Sequence, residues 1–148
     1  MNEKQIDLNK SIALRYLEEC FAKSDLGLID ELFAPEVSGR NFPFFPKGVR
    51  GREQVRREIR NLHSAIPKLW IKILDVVAED DTVVVRRTIG GKQEGPWMGK
   101  IPPTGKQVEW TGISIYTIVN GKIADIVEVD DGLALLYQID ALAMWKPE

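Results

Sequence analysis

The spacing of apolar residues predicts helices in the first third of the chain. Side chains three or four positions apart would share one face of a helix from about residue 9 to residue 23. These side chains are Ile12, Tyr16, Leu17, Cys20 and Phe21. Ser24 predicts the N-cap of a short second helix, which Pro35 would end. A third helix is predicted from about residue 52 to residue 66, where Pro67 stops the pattern.

After Pro67 the period of the apolar pattern changes from about 3.6 residues to 2, which indicates strands. Four strands rich in β-branched residues are predicted near 69–78, 81–89, 107–119 and 122–130. Asn120-Gly121 separates the last two, and both residues tolerate positive φ, so a tight hairpin is predicted there. A final helix is predicted from about residue 131 to residue 144. Its inward side chains would be Leu133, Leu135, Leu136, Ile139 and Leu142.

This order of elements predicts an α+β fold. Helices would pack on one face of a strongly curved antiparallel sheet. Flat packing cannot fill the concave side of such a sheet, so a cone-shaped pocket is expected between sheet and helices, in the usual form of a small-molecule site. The sequence contains no repeat and no long linker, and we expect one domain over residues 1–148.

The segment between the second and third helices is unusually apolar for a loop. Residues 36–51 include Asn-Phe-Pro-Phe-Phe-Pro-Lys-Gly, which we expect to fold over apolar surface. Phe44 and Phe45 would then form a lid above an apolar ligand.

Composition and charge exclude several classes of function. The net charge of −2, from 20 basic and 22 acidic residues, predicts no general attraction to nucleic acid or to anionic membranes. No apolar run approaches the roughly 20 residues of a membrane span, and the N-terminus resembles no signal peptide, so a cytoplasmic protein is expected. The single cysteine, Cys20, cannot form an internal disulfide, and no pair of residues at ligand spacing predicts a metal site.

Several turn and packing motifs resemble one family. They are Gly51-Arg52-Glu53, the Pro-Pro-Thr-Gly-Lys turn at 102–106, Gly-Lys-Ile at 121–123, and Asp131 followed by Leu135-Leu136 and Gln138. Together they resemble the SnoaL-like polyketide cyclases, over about residues 14–141. That family lies in the nuclear transport factor 2-like (cystatin-like) superfamily, which also contains ketosteroid isomerase.

The resemblance implies an enzyme that needs no metal or organic cofactor. A carboxylate in a dry pocket would do acid–base chemistry on a small apolar carbonyl compound, with aldol cyclisation or isomerisation as the result. Asp125 and Asp131 are the candidate acids, and Tyr16 matches a first-helix tyrosine that donates to an oxyanion. Each has a structural alternative: Asp125 as a solvent-facing strand residue, Asp131 as a helix cap, and Tyr16 as a core side chain. Asp130 is expected to face solvent.

The substrate-binding candidates are drawn from the loop, the third helix and the later strands. They are Asn41, Phe44, Phe45, His63, Trp97, Trp110 and Tyr116. For the aromatic residues and for His63, ordinary packing is the alternative. The chain has no acid from Val37 to Arg52, which argues against the known steroid isomerase chemistry.

Two alternatives concern the protein as a whole. Gln93 stands where relatives often carry a histidine, and Gln cannot exchange protons, so a non-catalytic protein that holds a small apolar ligand is the second hypothesis. We also expect a homodimer formed through the sheet face that carries Ile113, Ile115 and Val127. No nucleic acid or membrane partner is expected.

Overall fold

The computed structural model describes residues 1–40 and 47–144. Asn41, Phe44 and Phe45 lie outside the described residues. The helices are α1 (Glu3–Arg15), α2 (Ile29–Leu32), α3 (Gly51–Ala65) and α4 (Gly132–Gln138). The strands are β1 (Phe33–Arg40), β2 (Val49–Arg50), β3 (Trp70–Glu79), β4 (Thr82–Lys92), β5 (Gln107–Val119) and β6 (Lys122–Asp130).

The first helix changes its winding part-way along. Asn2 caps α1 by accepting from the Gln5 amide at 2.9 Å. The chain then continues as a π-helical segment, Tyr16–Phe21, and a 3₁₀ turn, Leu26–Leu28, leads into α2. Ser24 has φ of +56°, and no side chain caps the 3₁₀ turn or α2, so the prediction of an N-cap at Ser24 is wrong.

One six-stranded sheet organises the described residues, in the order β2-β1-β6-β5-β4-β3. From β3 to β6, each strand pairs antiparallel with the next one along the chain, and all four match predicted strands. Asn120 and Gly121 have φ of +50° and +74°, which confirms the hairpin between β5 and β6. The α+β fold class is confirmed.

The sheet is mixed because β1 pairs parallel with β6. The sequence predicted a loop from residue 36, and for β1 that prediction is wrong. Pro35 concealed this strand, since proline cannot donate to a ladder of backbone hydrogen bonds. Here Pro35 lies between Phe33 and Ser38, where the register with β6 shifts, and its missing N–H is therefore tolerated.

The final helix is shorter than predicted. Within the described residues, α4 ends at Gln138 and is followed by a 3₁₀ turn, Leu142–Met144. Leu135, Leu136 and Ile139 are buried, but Leu133 is 71% exposed. Leu133 precedes Leu135 by two positions and therefore lies on the opposite side of the helix. No helix within residues 1–40 and 47–144 is both long and apolar enough to cross a membrane.

Candidate functional site

A cavity lies between the inner face of the sheet and the helices. Its walls come from the π-helical segment, α3, strands β4 to β6, and the segment that follows β4. The space open to the centre of a water-sized molecule is about 90 Å³, several times the roughly 10–15 Å³ that one water needs. The aromatic lining is Tyr16, Phe21, Trp97 and Trp110, and the polar lining is Glu58, Asn61, Arg87, Glu128 and Asp130.

Arg87 and Asp130 form an ion pair across a glycine. Arg87 on β4 is opposite Gly112 on β5, which is in turn opposite Asp130 on β6. Because Gly112 has no side chain, the guanidinium reaches over it, with Nη1–Oδ1 at 2.6 Å and Nη2–Oδ2 at 3.3 Å. A Cβ at Gly112 would lie 2.0 Å from Arg87 Nη1 and 2.2 Å from Asp130 Oδ1. The ion pair therefore depends on this glycine.

Glu128 precedes Asp130 by two residues on β6, so both side chains lie on the same face of the sheet. It is opposite Ser114, whose hydroxyl donates to Glu128 Oε1 at 3.4 Å. Arg87 Nη2 lies 3.5 Å from Glu128 Oε2, and Trp110 Nε1 donates to Asp130 Oδ1 at 3.2 Å. The Arg87 side chain is only 2% exposed, so one buried cation serves two carboxylates.

Burial changes the acid–base properties of this cluster. It raises the pKa of Glu128 to about 7, although the Arg87 guanidinium opposes the shift. Burial and the nearby Glu128 raise the pKa of Glu58 on α3 to about 8. Desolvation also holds the pKa of Tyr16 well above its ordinary value, so the phenol stays neutral. The cavity thus combines two carboxyl groups that titrate near neutral pH with a neutral hydrogen-bond donor.

Two polar atoms of the lining residues have no hydrogen-bond partner among the described residues. They are Glu58 Oε1 and Arg87 Nε, and both are buried. Buried polar atoms are almost always paired, with protein, water or ligand. A bound molecule that reached these atoms would supply the partners that they lack.

Three of the residues predicted for the site line the cavity. They are Tyr16, Trp97 and Trp110. The Trp97 and Trp110 rings pack edge to face, with centroids 6.0 Å apart. The Tyr16 ring packs in the same way on Phe33, with centroids 4.9 Å apart.

The structure places Tyr116 and His63 outside the lining. Tyr116 is fully buried and contacts Tyr16 edge to face, with centroids 5.9 Å apart. His63 Nε2 donates to the Phe21 carbonyl oxygen at 2.7 Å. His63 thus joins α3 to the π-helical segment, as a packing residue does.

Asp125 and Asp131 also lie outside the lining. Asp131 Oδ1 accepts from the Ala134 amide at 3.0 Å and caps α4, as its structural alternative predicted. Asp125 accepts from the Ser38 hydroxyl at 2.6 Å and pairs with Arg40 at 3.3 Å. The acids that line the cavity are instead Glu58, Glu128 and Asp130, so the expectation that Asp130 faces solvent is wrong.

The alternating pattern of β4 could have indicated Arg87 as a residue of the site. Val83, Val85, Arg87 and Ile89 alternate along β4, and all four are buried. An arginine in such a series must be paired or face a cavity, because an unpaired buried charge is very unfavourable. No group of three or more His, Cys, Asp or Glu side chains in the described ranges is placed to hold a metal ion.

Gln93 fixes the segment that carries Trp97. The side chain of Gln93 is fully buried, and Nε2 donates to the carbonyl oxygens of Gly95 at 3.2 Å and Pro102 at 3.1 Å. Its Oε1 accepts from the Thr104 amide at 3.1 Å and from the Thr104 hydroxyl at 2.6 Å. Gln93 thus has a structural role in this chain.

Comparison with known proteins assigns the family. The family description "SnoaL-like polyketide cyclase" matches residues 11–139. This chain belongs to the SnoaL-like polyketide cyclase family. None of the curated proteins matches the sequence.

Several solved structures share the fold over nearly the whole chain. A candidate SnoaL-like polyketide cyclase from Jannaschia sp. CCS1 is 25% identical and covers 95% of this chain and 98% of its own, with a TM-score of 0.83. TsrD from Streptomyces laurentii is 28% identical over 96% and 99%, with a TM-score of 0.80. A protein of ketosteroid isomerase-like fold from Catenulispora acidiphila DSM 44928, in complex with trimethylamine, is 17% identical over 92% and 97%, with a TM-score of 0.74. This last likeness is one of fold alone.

Proposed function

We propose that this chain is a cofactor-independent enzyme of the aldol cyclase or isomerase type, which acts on a small, largely apolar carbonyl compound. The observation that supports the proposal concerns Glu128. Its carboxyl group lines the cavity beside the buried guanidinium of Arg87, and burial raises the pKa of this carboxyl group to about 7. A base with a pKa near the working pH is the most effective one for removing a proton from carbon.

The proposed first step is removal of a proton from the carbon next to a carbonyl group. The Glu128 carboxylate accepts this proton, and negative charge develops on the carbonyl oxygen as an enolate forms. Tyr16 lines the same cavity and, as a neutral phenol, would donate a hydrogen bond to that oxygen. The walls formed by Phe21, Trp97 and Trp110 would hold the apolar part of the substrate.

The second step depends on the substrate. In a cyclisation, the enolate carbon bonds to a second carbonyl carbon, and the resulting alkoxide takes a proton from Glu58, which burial keeps protonated at neutral pH. The proton on Glu128 then returns to Glu58, directly or through water, so both carboxyl groups are restored. In an isomerisation, Glu128 returns its proton to a different carbon atom.

Asp130 is a weaker candidate for the base. It accepts two hydrogen bonds from Arg87 and one from Trp110, so both of its oxygens are already engaged by donors. We propose that the Arg87–Asp130 pair instead positions Glu128 and keeps it partly ionised.

The test is exchange of α-protons of a simple ketone such as acetophenone in D₂O, followed by NMR. We expect the wild-type protein to accelerate the exchange and Glu128→Gln to lower the acceleration by about 10²–10⁴-fold, the usual contribution of a general base. Asp125→Asn, which removes the carboxylate outside the cavity, serves as the control and should retain the activity. Equal activity of Glu128→Gln and wild type contradicts the assignment of the base.

A second function, ligand binding without chemistry, is favoured by the unpartnered atoms of Glu58 and Arg87. A bound molecule would satisfy both atoms whether or not it reacts. Saturable binding of ketones by wild type, with exchange no faster than in buffer alone, would support this function in place of the enzyme.

We also propose that two copies pair through the outer face of the sheet. Ile113 and Ile115 on β5 and Val129 on β6 are 41%, 37% and 62% exposed and lie side by side on that face. Burying such a surface between two copies is favourable. Light scattering should give twice the chain mass of 16.7 kDa for wild type and the single-chain mass for Ile113→Lys. A monomeric wild-type protein at micromolar concentration contradicts the proposal.

A further inference from the structure

We propose that the cavity binds an organic cation, a small molecule whose protonated or quaternary amine lies beside Glu58 among the aromatic side chains. The inference goes beyond the reaction proposed above, because it concerns the charge of the ligand and is tested by binding alone. Its evidence is the balance of charge in the cavity, the position of Glu58 and the aromatic lining.

When its carboxyl groups are ionised, the cavity lining carries more negative than positive charge. Three carboxyl groups, those of Glu58, Glu128 and Asp130, share one cationic side chain, Arg87. Asp130 holds that guanidinium through contacts of 2.6 and 3.3 Å, and Glu128 lies 3.5 Å from it. No ion pair of the described residues includes Glu58, so a positively charged ligand would be the counter-ion of this carboxyl group once it is ionised.

Glu58 lies in the wall between two spaces. It lines the cavity and also a second, more polar groove, together with Gly48, Val49, Gln54, Arg57 and Asn61. Its Oε1 is buried and makes no hydrogen bond to any residue that the structure describes. A neutral apolar ligand would leave this oxygen unpartnered, and an anion would be repelled by Glu128 and Asp130. The positive charge of an amine would pair with Glu58 once its carboxyl group is ionised.

The aromatic lining strengthens the case for a cation. Tyr16, Phe21, Trp97 and Trp110 surround the same cavity. The faces of aromatic rings carry negative potential and attract ammonium groups, with tryptophan the strongest. Aromatic rings next to a carboxylate form the usual environment in which proteins recognise quaternary amines.

Binding of a permanent cation should strengthen as pH rises. The groups that face Glu58 are Glu128 and Asp130 on β6, Arg87 on β4 and Tyr16 on the π-helical segment, with Arg57 on the groove side. Burial and Glu128 raise the pKa of Glu58 to about 8, so this carboxyl group is mostly neutral at neutral pH. A bound cation favours its ionised form, and the affinity therefore increases as pH rises towards and past that value.

The test compares choline with 3,3-dimethyl-1-butanol, its uncharged analogue of the same shape, by calorimetric titration. We expect choline affinity to rise about tenfold or more between about pH 6 and pH 9, since one pKa unit of coupling corresponds to a factor of ten. The neutral alcohol should bind more weakly than choline at the higher pH and show no such rise. Glu58→Gln should remove most of the pH dependence and lower choline affinity about tenfold at about pH 9.

The control is Glu18→Gln, the same chemical change at an exposed position of the π-helical segment. It should bind choline as wild type does. Gln resembles the protonated Glu58 that predominates at neutral pH, so Glu58→Gln should remain folded, and circular dichroism checks this.

Two results would overturn the proposal: equal binding of choline and the alcohol at every pH, or choline binding that Glu58→Gln leaves unchanged. The outcome is separable from that of the exchange assay. Choline binding without ketone exchange contradicts only the enzyme, and ketone exchange without choline binding contradicts only the cation site.

Discussion

Gly112→Ala should destabilise this protein by about 3–5 kcal/mol, the loss that follows when a buried ion pair is broken. The new Cβ would lie 2.0 Å from Arg87 Nη1, 2.2 Å from Asp130 Oδ1 and 2.8 Å from the Val129 carbonyl oxygen. None of these atoms can withdraw easily, because the guanidinium is buried and the carbonyl belongs to β6. The strand has to shift or the ion pair has to separate. For a domain of this size we expect the Tm to fall by about 10 °C.

Thermal and urea unfolding of Gly112→Ala and Gly27→Ala measure this effect. A Cβ at Gly27 has only Asp25 Oδ1 near it, at 3.6 Å, and needs no unusual φ, so Gly27→Ala should be close to neutral. The effect of Gly112→Ala should be smaller in an Arg87→Met/Asp130→Asn background, because Arg87 Nη1, the atom nearest the new Cβ, and the ion pair itself are then absent. Wild-type stability of Gly112→Ala would show that the ion pair does not need the glycine.

Arg87→Met should lower the free energy of unfolding by a similar amount, about 3–5 kcal/mol near pH 8. The side chains of Asp130 and Glu128 are only 9% and 14% exposed, and the substitution leaves both without their cation. Their repulsion in a buried place is the source of the loss. Replacing both members of the pair, in Arg87→Met/Asp130→Asn, should restore part of the stability because one of the two buried charges is gone.

The loss should depend on pH in a defined direction. Without Arg87, burial and mutual repulsion raise the pKa of Glu128 further, so the folded protein holds a proton that the unfolded chain releases. Stability then falls as pH rises from the ordinary glutamate range through the raised value. Urea unfolding should show a smaller deficit at about pH 5 than at about pH 8.

Arg86→Met is the matched control for this experiment. Arg86 precedes Arg87 on the same strand but lies on the outer face, where it is 49% exposed and pairs with Asp75 at 2.6 Å. Exposed pairs of this kind contribute about 1 kcal/mol or less. If Arg87→Met loses no more stability than Arg86→Met, the buried cluster contributes little to the fold.

The sheet was largely predictable because each of its four long strands alternates over many residues. The burial of β5 alternates without a break from Gln107 to Ile118, and Asn-Gly fixes the hairpin that follows. The edge formed by β1 and β2 was not predictable in this way. β1 contains a proline and β2 has only two residues. In neither strand is the alternation of apolar and polar residues long enough to predict a strand against the turn-forming residues around it.

The site was predictable only in part, for a geometric reason. The motif that marks the end of β6 favoured Asp131, yet the cavity receives Asp130, one position earlier. Neighbouring residues of a strand point to opposite faces, so an error of one residue changes which acid is inside. Glu58 was missed because the contact between α3 and the sheet is a tertiary one. The helical pattern predicted only apolar inward residues, which are Val55, Ile59, Leu62 and Ile66.

Gln93 anchors both ends of one cavity wall, which makes the segment between them a target for engineering. Its hydrogen bonds join Gly95, Pro102 and Thr104, so the chain between them is held from a single buried point. Within this segment Trp97 and Ile101 are buried, and Trp97 lines the cavity. A graft that keeps Gln93 and Thr104 and replaces what lies between them would give the same scaffold a differently shaped ligand site.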